Sequence, residues 1–147
     1  MFILSPAARM TLLDDAIAVG GVLNGLTCGL FQSFFQPGVN STYDEFDAAK
    51  ATFTGYAVIT PITWSGPYQD ANQTAYVLGG LRLFEAAAPT PPALFVANTI
   101  GGYYLYTGTD LIGFEVLDDP STGLPAPIPI EDETDVAAVI PRFSFGQ

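Results

Sequence analysis

Fifteen glycines and twelve prolines divide this 147-residue chain at short intervals. Proline removes a backbone donor and clashes with the preceding helical turn, and glycine costs a helix about 1 kcal/mol relative to alanine. Long helices do not survive such spacing, whereas short strands joined by turns do. Apolar residues make up 49% of the chain and charged residues 13%, a balance that excludes a disordered tail. One hydrophobic core commonly serves about 100–150 residues. The expectation is a single, mainly β domain over 1–147: an antiparallel β-sandwich or partly open barrel with one or two short helices.

Ser5-Pro6 is a helix-start signal, and Met10, Leu13 and Ile17 recur at helical spacing, predicting a helix over 6–18 that ends at Gly20-Gly21. Residues 25–35 read as a strand with Leu26, Cys28 and Leu30 on one face; a change of face near Phe31 implies a bulge of unfixed position. After the Pro37-Gly38 turn, Ser41 with Asp44 or Thr42 with Glu45 resembles a capping box, so helical turns are expected over 42–49. Further strands are expected at 53–60, 74–85 with a break at Gly79-Gly80, 94–98, 102–107, 111–117 and 136–145. Pro61 and a Ser65-Gly66-Pro67 turn interrupt the chain around Trp64. The stretch 86–92 predicts a stiff linker of polyproline geometry. In 120–130 the alternate prolines Pro125, Pro127 and Pro129 predict an extended edge segment that cannot join a central ladder.

Four Lys and Arg stand against fifteen Asp and Glu, a formal net charge of −11. Such a field repels polyanions and anionic membrane surfaces, and the four cations, Arg9, Lys50, Arg82 and Arg142, are scattered. Neither nucleic acid nor a membrane is therefore an expected partner. The apolar stretch 16–35 carries Gly20, Gly21, Gly25 and Gly29 with several polar residues, too many interruptions for a membrane span. The first ten residues lack a basic region followed by an apolar run, so synthesis and folding in a cytoplasm is the default. Cys28 is the sole cysteine; no intrachain disulfide can form, and its leucine neighbours predict a buried, inert thiol.

The chain contains no histidine. That removes the commonest general base, the usual nucleophilic triads and most transition-metal sites. No nucleophile elbow, P-loop or dinucleotide fingerprint is present. Asp44, Glu45, Asp47, Asp70 and Glu115 could pair for glycosidic hydrolysis, yet acidic residues at helix starts and in loops are ordinarily just solvated. Asp44, Glu45 and Asp47, or Glu131, Asp132, Glu133 and Asp135, offer hard oxygen ligands for calcium, without EF-hand spacing. Asn40-Ser41-Thr42 and Asn72-Gln73-Thr74 match the glycosylation pattern by chance. The residues thus assign no catalytic, cofactor or metal site.

Aromatic residues remain. Phe31, Phe34 and Phe35 precede a turn, and Tyr103, Tyr104 and Tyr106 form a second group, with Tyr104 and Tyr106 on one strand face and Tyr103 on the other. One face is expected to be core and the other a subunit contact. With Trp64, these six are the interface candidates, and Phe35→Ser is expected to impair assembly more than folding.

Phe53-Thr54-Gly55-Tyr56-Ala57 followed by Trp64 resembles a pattern in small virion proteins of tailed bacteriophages. Leu30-Phe31 before a Pro-Gly turn, the acidic helix at 43–48, Gly102-Tyr103-Tyr104 and Pro141-Arg142-Phe143 extend the resemblance over about half the chain. It implies a β-sandwich-like subunit without catalysis or cofactor, present in many copies. The leading expectation is a capsid decoration or cement protein on the virion exterior, partnered by the major capsid protein and by copies of itself as a homotrimer. The proline-rich stretches depart from the pattern and suggest arms embracing a neighbouring subunit. Two other readings stand beside it: a tail- or fibre-associated component, and a carbohydrate-binding β-sandwich with Trp64, Tyr68 and Tyr76 as a stacking platform.

Overall fold

A computed structural model describes residues 3–145. Its elements are α1 (Pro6–Ile17), β1 (Thr27–Gln32), α2 (Tyr43–Ala48), β2 (Ser65–Gln69), β3 (Ala75–Leu78), β4 (Arg82–Glu85), β5 (Asn98–Thr107), β6 (Asp110–Val116), β7 (Ile128–Ile130), β8 (Val136–Val139) and β9 (Arg142–Phe145). All strand pairs are antiparallel. The sheets do not close into a barrel, and the architecture is sandwich-like. No helix among the described residues is long and apolar enough to cross a membrane.

The first sheet runs β1-β5-β6, with β7 taking over beside β5 where β6 leaves off. Its inner face carries Cys28, Leu30, Ile100, Tyr103 and Leu105 into the main core. Opposite them lie Ala75 and Val77 of β3, Phe84 of β4 and Ala137 and Val139 of β8. Leu13 of α1 closes one end, and the Ser5 hydroxyl caps this helix by accepting from the Ala8 N–H at 3.2 Å. The bulge near Phe31 is real. Pairing slips between Phe31–Gly102 and Gln32–Ile100, leaving Gly101 as the extra residue on β5.

Two expected strands prove to be one bent ribbon. Residues 75–78 pair with 142–145 as β3 with β9, and residues 82–85 with 136–139 as β4 with β8. At the bend the Gly79 N–H donates to the Pro141 carbonyl at 2.7 Å, and Gly80 and Leu81 together oppose Ile140. One strand therefore holds an extra residue, a bulge that sharpens twist and lets the ribbon switch sheets. Gly80, at φ +71°, supplies the left-handed backbone this requires.

The expected strand at 53–60 does not form. Tyr56 N–H closes a turn onto the Phe53 carbonyl, with Gly55 at φ +95°. The segment still guards the edge of β1. Leu30 O accepts from Ala51 N, Cys28 and Ile59 exchange both their bonds, and Leu26 O accepts from Ile62 N, at 2.8–3.0 Å. Between these the Tyr56 hydroxyl takes the Leu30 N–H at 2.9 Å, so a side chain completes a ladder the backbone leaves open.

Other expectations also shift. Residues 94–97 bind the 52–54 segment instead of forming a strand, through Thr54 N to Val96 O and Val96 N to the Thr54 hydroxyl. The Ser65-Gly66-Pro67 turn is part of edge strand β2, where the Gly-Pro pair interrupts pairing with β3. Polyproline geometry does not hold through the end of 86–92, where Ala93 N–H closes a turn on Thr90 O. Parts of the proline stretches are tied to their own chain. Ala86 and Ala87 bond Asp135 and Thr54, Ala126 bonds Leu117, and β7 is an edge strand on β5 with Pro129 opposite Thr99.

Candidate interaction surface

Chain alternation divides the aromatic candidates between two cores. Tyr103 faces the main core, where its hydroxyl donates to Glu115 and accepts the Arg142 N–H at 3.2 Å. Phe31 and Tyr104 point to the opposite face of the same sheet. That face is not a subunit contact, because α2 covers it: Phe46 is fully buried against Phe31, Phe35, Tyr104 and Phe114, with ring centroids 5.0–5.2 Å apart. Thr42 begins this helix, its N–H bonding the Glu45 carboxylate at 2.7 Å. Tyr43 and Tyr106, 4.9 Å apart, flank the cluster.

The sequence reading overlooked Phe46. Its signal was the three-residue spacing from Tyr43 amid carboxylates, which puts both aromatics on one helix face. Burial raises the phenol pKa of Tyr103, Tyr104 and Tyr56, and for Tyr103 the bond to Glu115 raises it further. Cys28 is buried as expected, and burial pushes its thiol up to about 12 against the opposing charge of Arg82, which disfavours the thiolate.

Phe31, Tyr103 and Tyr104 are therefore buried in their own chain and offer no contact surface. Trp64 is half-buried on the main core, its indole N–H donating to the Leu23 carbonyl at 2.6 Å. Phe35 packs edge-on between Phe31 and Phe46, so Phe35→Ser is expected to lower the stability of the monomer as well as any assembly contact. Of the seven candidates, Phe34 stands out in solvent, 70% exposed. It lines a shallow groove of about 320 Å³ with Asn98 and Glu131. Through Ser33 this groove adjoins an apolar one of about 270 Å³ walled by Phe35, Pro37, Val116, Pro125 and Pro127.

A second exposed surface was not foreseen. The outward side of the β4–β8 ribbon presents Leu81, Leu83, Ala138 and Ile140. Tyr68 and Tyr76 do lie side by side across β2 and β3 at 5.6 Å, but tilted 38°, and the Arg142 guanidinium covers the Tyr76 ring at 4.2 Å.

Asp47, Asp70, Asp132 and Asp135, among the carboxylates considered for chemistry, serve the backbone or a near neighbour. Asp70 accepts from Asn72 and Thr74 N–H at 2.9 Å, and Asp47 pairs with Lys50 at 2.9 Å. Asp135 accepts from Glu131 and Asp132 N–H, and Asp132 from Thr134, whose hydroxyl and N–H hold the Asp132 pKa below its ordinary value. Among the described residues no three Cys, Asp or Glu side chains converge on a metal position. Neither calcium run assembles.

Comparison with known proteins returned no matching family model, no curated protein and no solved structure.

Proposed function

We propose that this chain is a structural protein of a virion, a decoration or cement subunit on the outside of a tailed-phage head, acting by contact and not by catalysis. The observation that carries the contact reading is Phe34. It projects into water from a corner whose next residue, Phe35, is locked in the aromatic core. Covering a phenylalanine side chain is worth about 1.5–3 kcal/mol, which gives a partner surface a ready anchor. The virion assignment draws on the sequence resemblance.

Electrostatics supports an exterior place. Arg9 is buried and bonded to Leu4 and Gln73 carbonyls, Lys50 pairs with Asp47, Arg82 bonds Gly79 and Thr63 carbonyls, and Arg142 approaches Asp70 at 3.8 Å. Each of the four Lys and Arg side chains is engaged within the chain, and against fifteen Asp and Glu they leave an acidic surface toward packaged DNA. Partners are then the major capsid protein and further copies of this chain, in a homotrimer. The glycan-binding reading draws less support, because Trp64 is turned into the core and Arg142 already occupies the Tyr76 face.

Gradient sedimentation of a native lysate tests the proposal. Co-migration with DNA-filled particles at hundreds of copies is the expected result, weakened by Phe34→Ser with thermal stability unchanged. A few copies per particle would indicate tail hardware, and recovery only in the soluble fraction would overturn the virion reading.

A further inference from the structure

We propose that the outward face of the β4–β8 ribbon is a docking surface for an extended protein segment carrying apolar residues beside lysine or arginine. The inference rests on reading the chain as a contact protein; it does not require the partner to be a phage head.

Cross-strand pairs alternate between the two sides of a ribbon. Phe84–Ala137 and Arg82–Val139 point inward, and Leu83–Ala138 points outward. At the bulge Leu81 and Ile140 join the outward side, leaving Leu81 60%, Leu83 48% and Ile140 53% exposed. Isolated exposed leucines need no explanation, but three large aliphatics on one sheet face form a patch of the kind that marks contact sites. Among the described residues β4 has a ladder partner only in β8, so its far edge is open as well. The two grooves beside Phe34 and Phe35 are lined by other residues, and a flat sheet face suits a polypeptide better than a small molecule.

Charge selects which polypeptide. At the far end of the ribbon Glu85 sits opposite Val136, and Ala86 N–H bonds Asp135 O at 3.0 Å. The loop leading into β8 adds Glu131, Asp132 and Glu133, held in place because Asp132 and Asp135 accept the loop's own N–H groups. Neither Glu85 nor Glu133 has a cation partner among the described residues. Arg82, the one base on the ribbon's β4 strand, is turned to the Gly79 and Thr63 carbonyls. Apolar surface and uncompensated negative charge are thus side by side. The net charge of −11 repels nucleic acid and anionic lipid, and a second copy offers this acidic end four Lys and Arg side chains that are already engaged within their own chain. Side chains two apart along an extended segment lie about 7 Å apart, the spacing of Leu81, Leu83 and Glu85, so apolar positions followed by a cation complement the face in register.

The probe is a synthetic peptide of alternating valine and threonine ending in two lysines, titrated into isotope-labelled full-length chain and followed by amide resonances. The expected shifts are confined to 81–85 and 131–140, and the affinity falls as salt is raised. Leu83→Ser with Ile140→Ser weakens binding about tenfold, the scale of an anchoring side chain. Because that variant changes the sheet surface, Glu85→Gln with Glu133→Gln is a second test; it leaves the fold intact and is expected to reduce the salt dependence. The same peptide ending in two glutamates shows no shifts. The proposal is overturned if shifts centre on the acidic residues at 44–47 or 118–119, if both variants bind as the parent does, or if the face proves to be a self-association surface by sedimentation equilibrium. Particle co-sedimentation is read separately, so either proposal can fail while the other stands.

Discussion

Phe46→Ala removes the ring on which the smaller core is built. Phe46 is fully buried and touches four other rings, Phe31, Phe35, Tyr104 and Phe114. Truncating a buried phenylalanine to alanine costs about 3–5 kcal/mol through lost burial and the cavity left behind. Relaxation cannot recover much of this, because the cavity walls are rigid rings anchored on β1, β5 and β6. Phe46 is also the buried residue of α2, and a six-residue helix has no stability of its own. We therefore expect a loss of about 4 kcal/mol, a large part of the roughly 5–15 kcal/mol available to such a domain. With a urea m-value of about 2 kcal/mol/M the midpoint falls by about 2 M. Trp64, the chain's single tryptophan, reports the transition by fluorescence; it packs on the main core and not on the mutated cluster. A midpoint shift below about 0.5 M, or a loss equal to that of Phe34→Ala, would refute the view that α2 is held by this cluster. Phe34→Ala itself, at an exposed position, should stay within about 0.5 kcal/mol of the parent.

Gly102→Ala should destabilise by about 1–3 kcal/mol, since a Cβ there would clash with the Glu115 carbonyl oxygen and the Phe31 ring; thermal melting checks this, and a neutral result would mean the strand pair can spread. Stability should fall progressively as the pH is raised from about 9, followed by denaturant midpoint. Cys28 and the buried tyrosines have raised folded-state pKa values, so the unfolded chain loses their protons first, from about 8.5 for thiol and 10 for phenol. Their stabilising contribution is complete below those values and disappears on the way up to the folded ones, so a flat profile to pH 11 would contradict their burial.

Local signals were legible wherever one residue's chemistry decides the backbone. Ser5-Pro6 started a helix, Thr42 with Glu45 began another, and Leu26, Cys28 and Leu30 went to the core together. Pro129, the last of the period-two prolines, lies in the edge strand β7, because proline has no N–H to give a central ladder. The composition determined a mainly β fold, and the absence of histidine narrowed the chemistry available.

Tertiary structure alone decided what covers each face. Tyr104 and Tyr106 alternate with Tyr103 in the sequence, but whether their side meets water, a subunit or a helix depends on where α2 lands. The 53–60 segment has strand composition, yet the β1 edge is met by backbone at either end and by the Tyr56 hydroxyl between. The ribbon's exposed leucines look like any alternating strand in the sequence. Periodicity fixes which residues share a face; burial is a property of what packs upon that face, and those contacts join residues far apart in the chain.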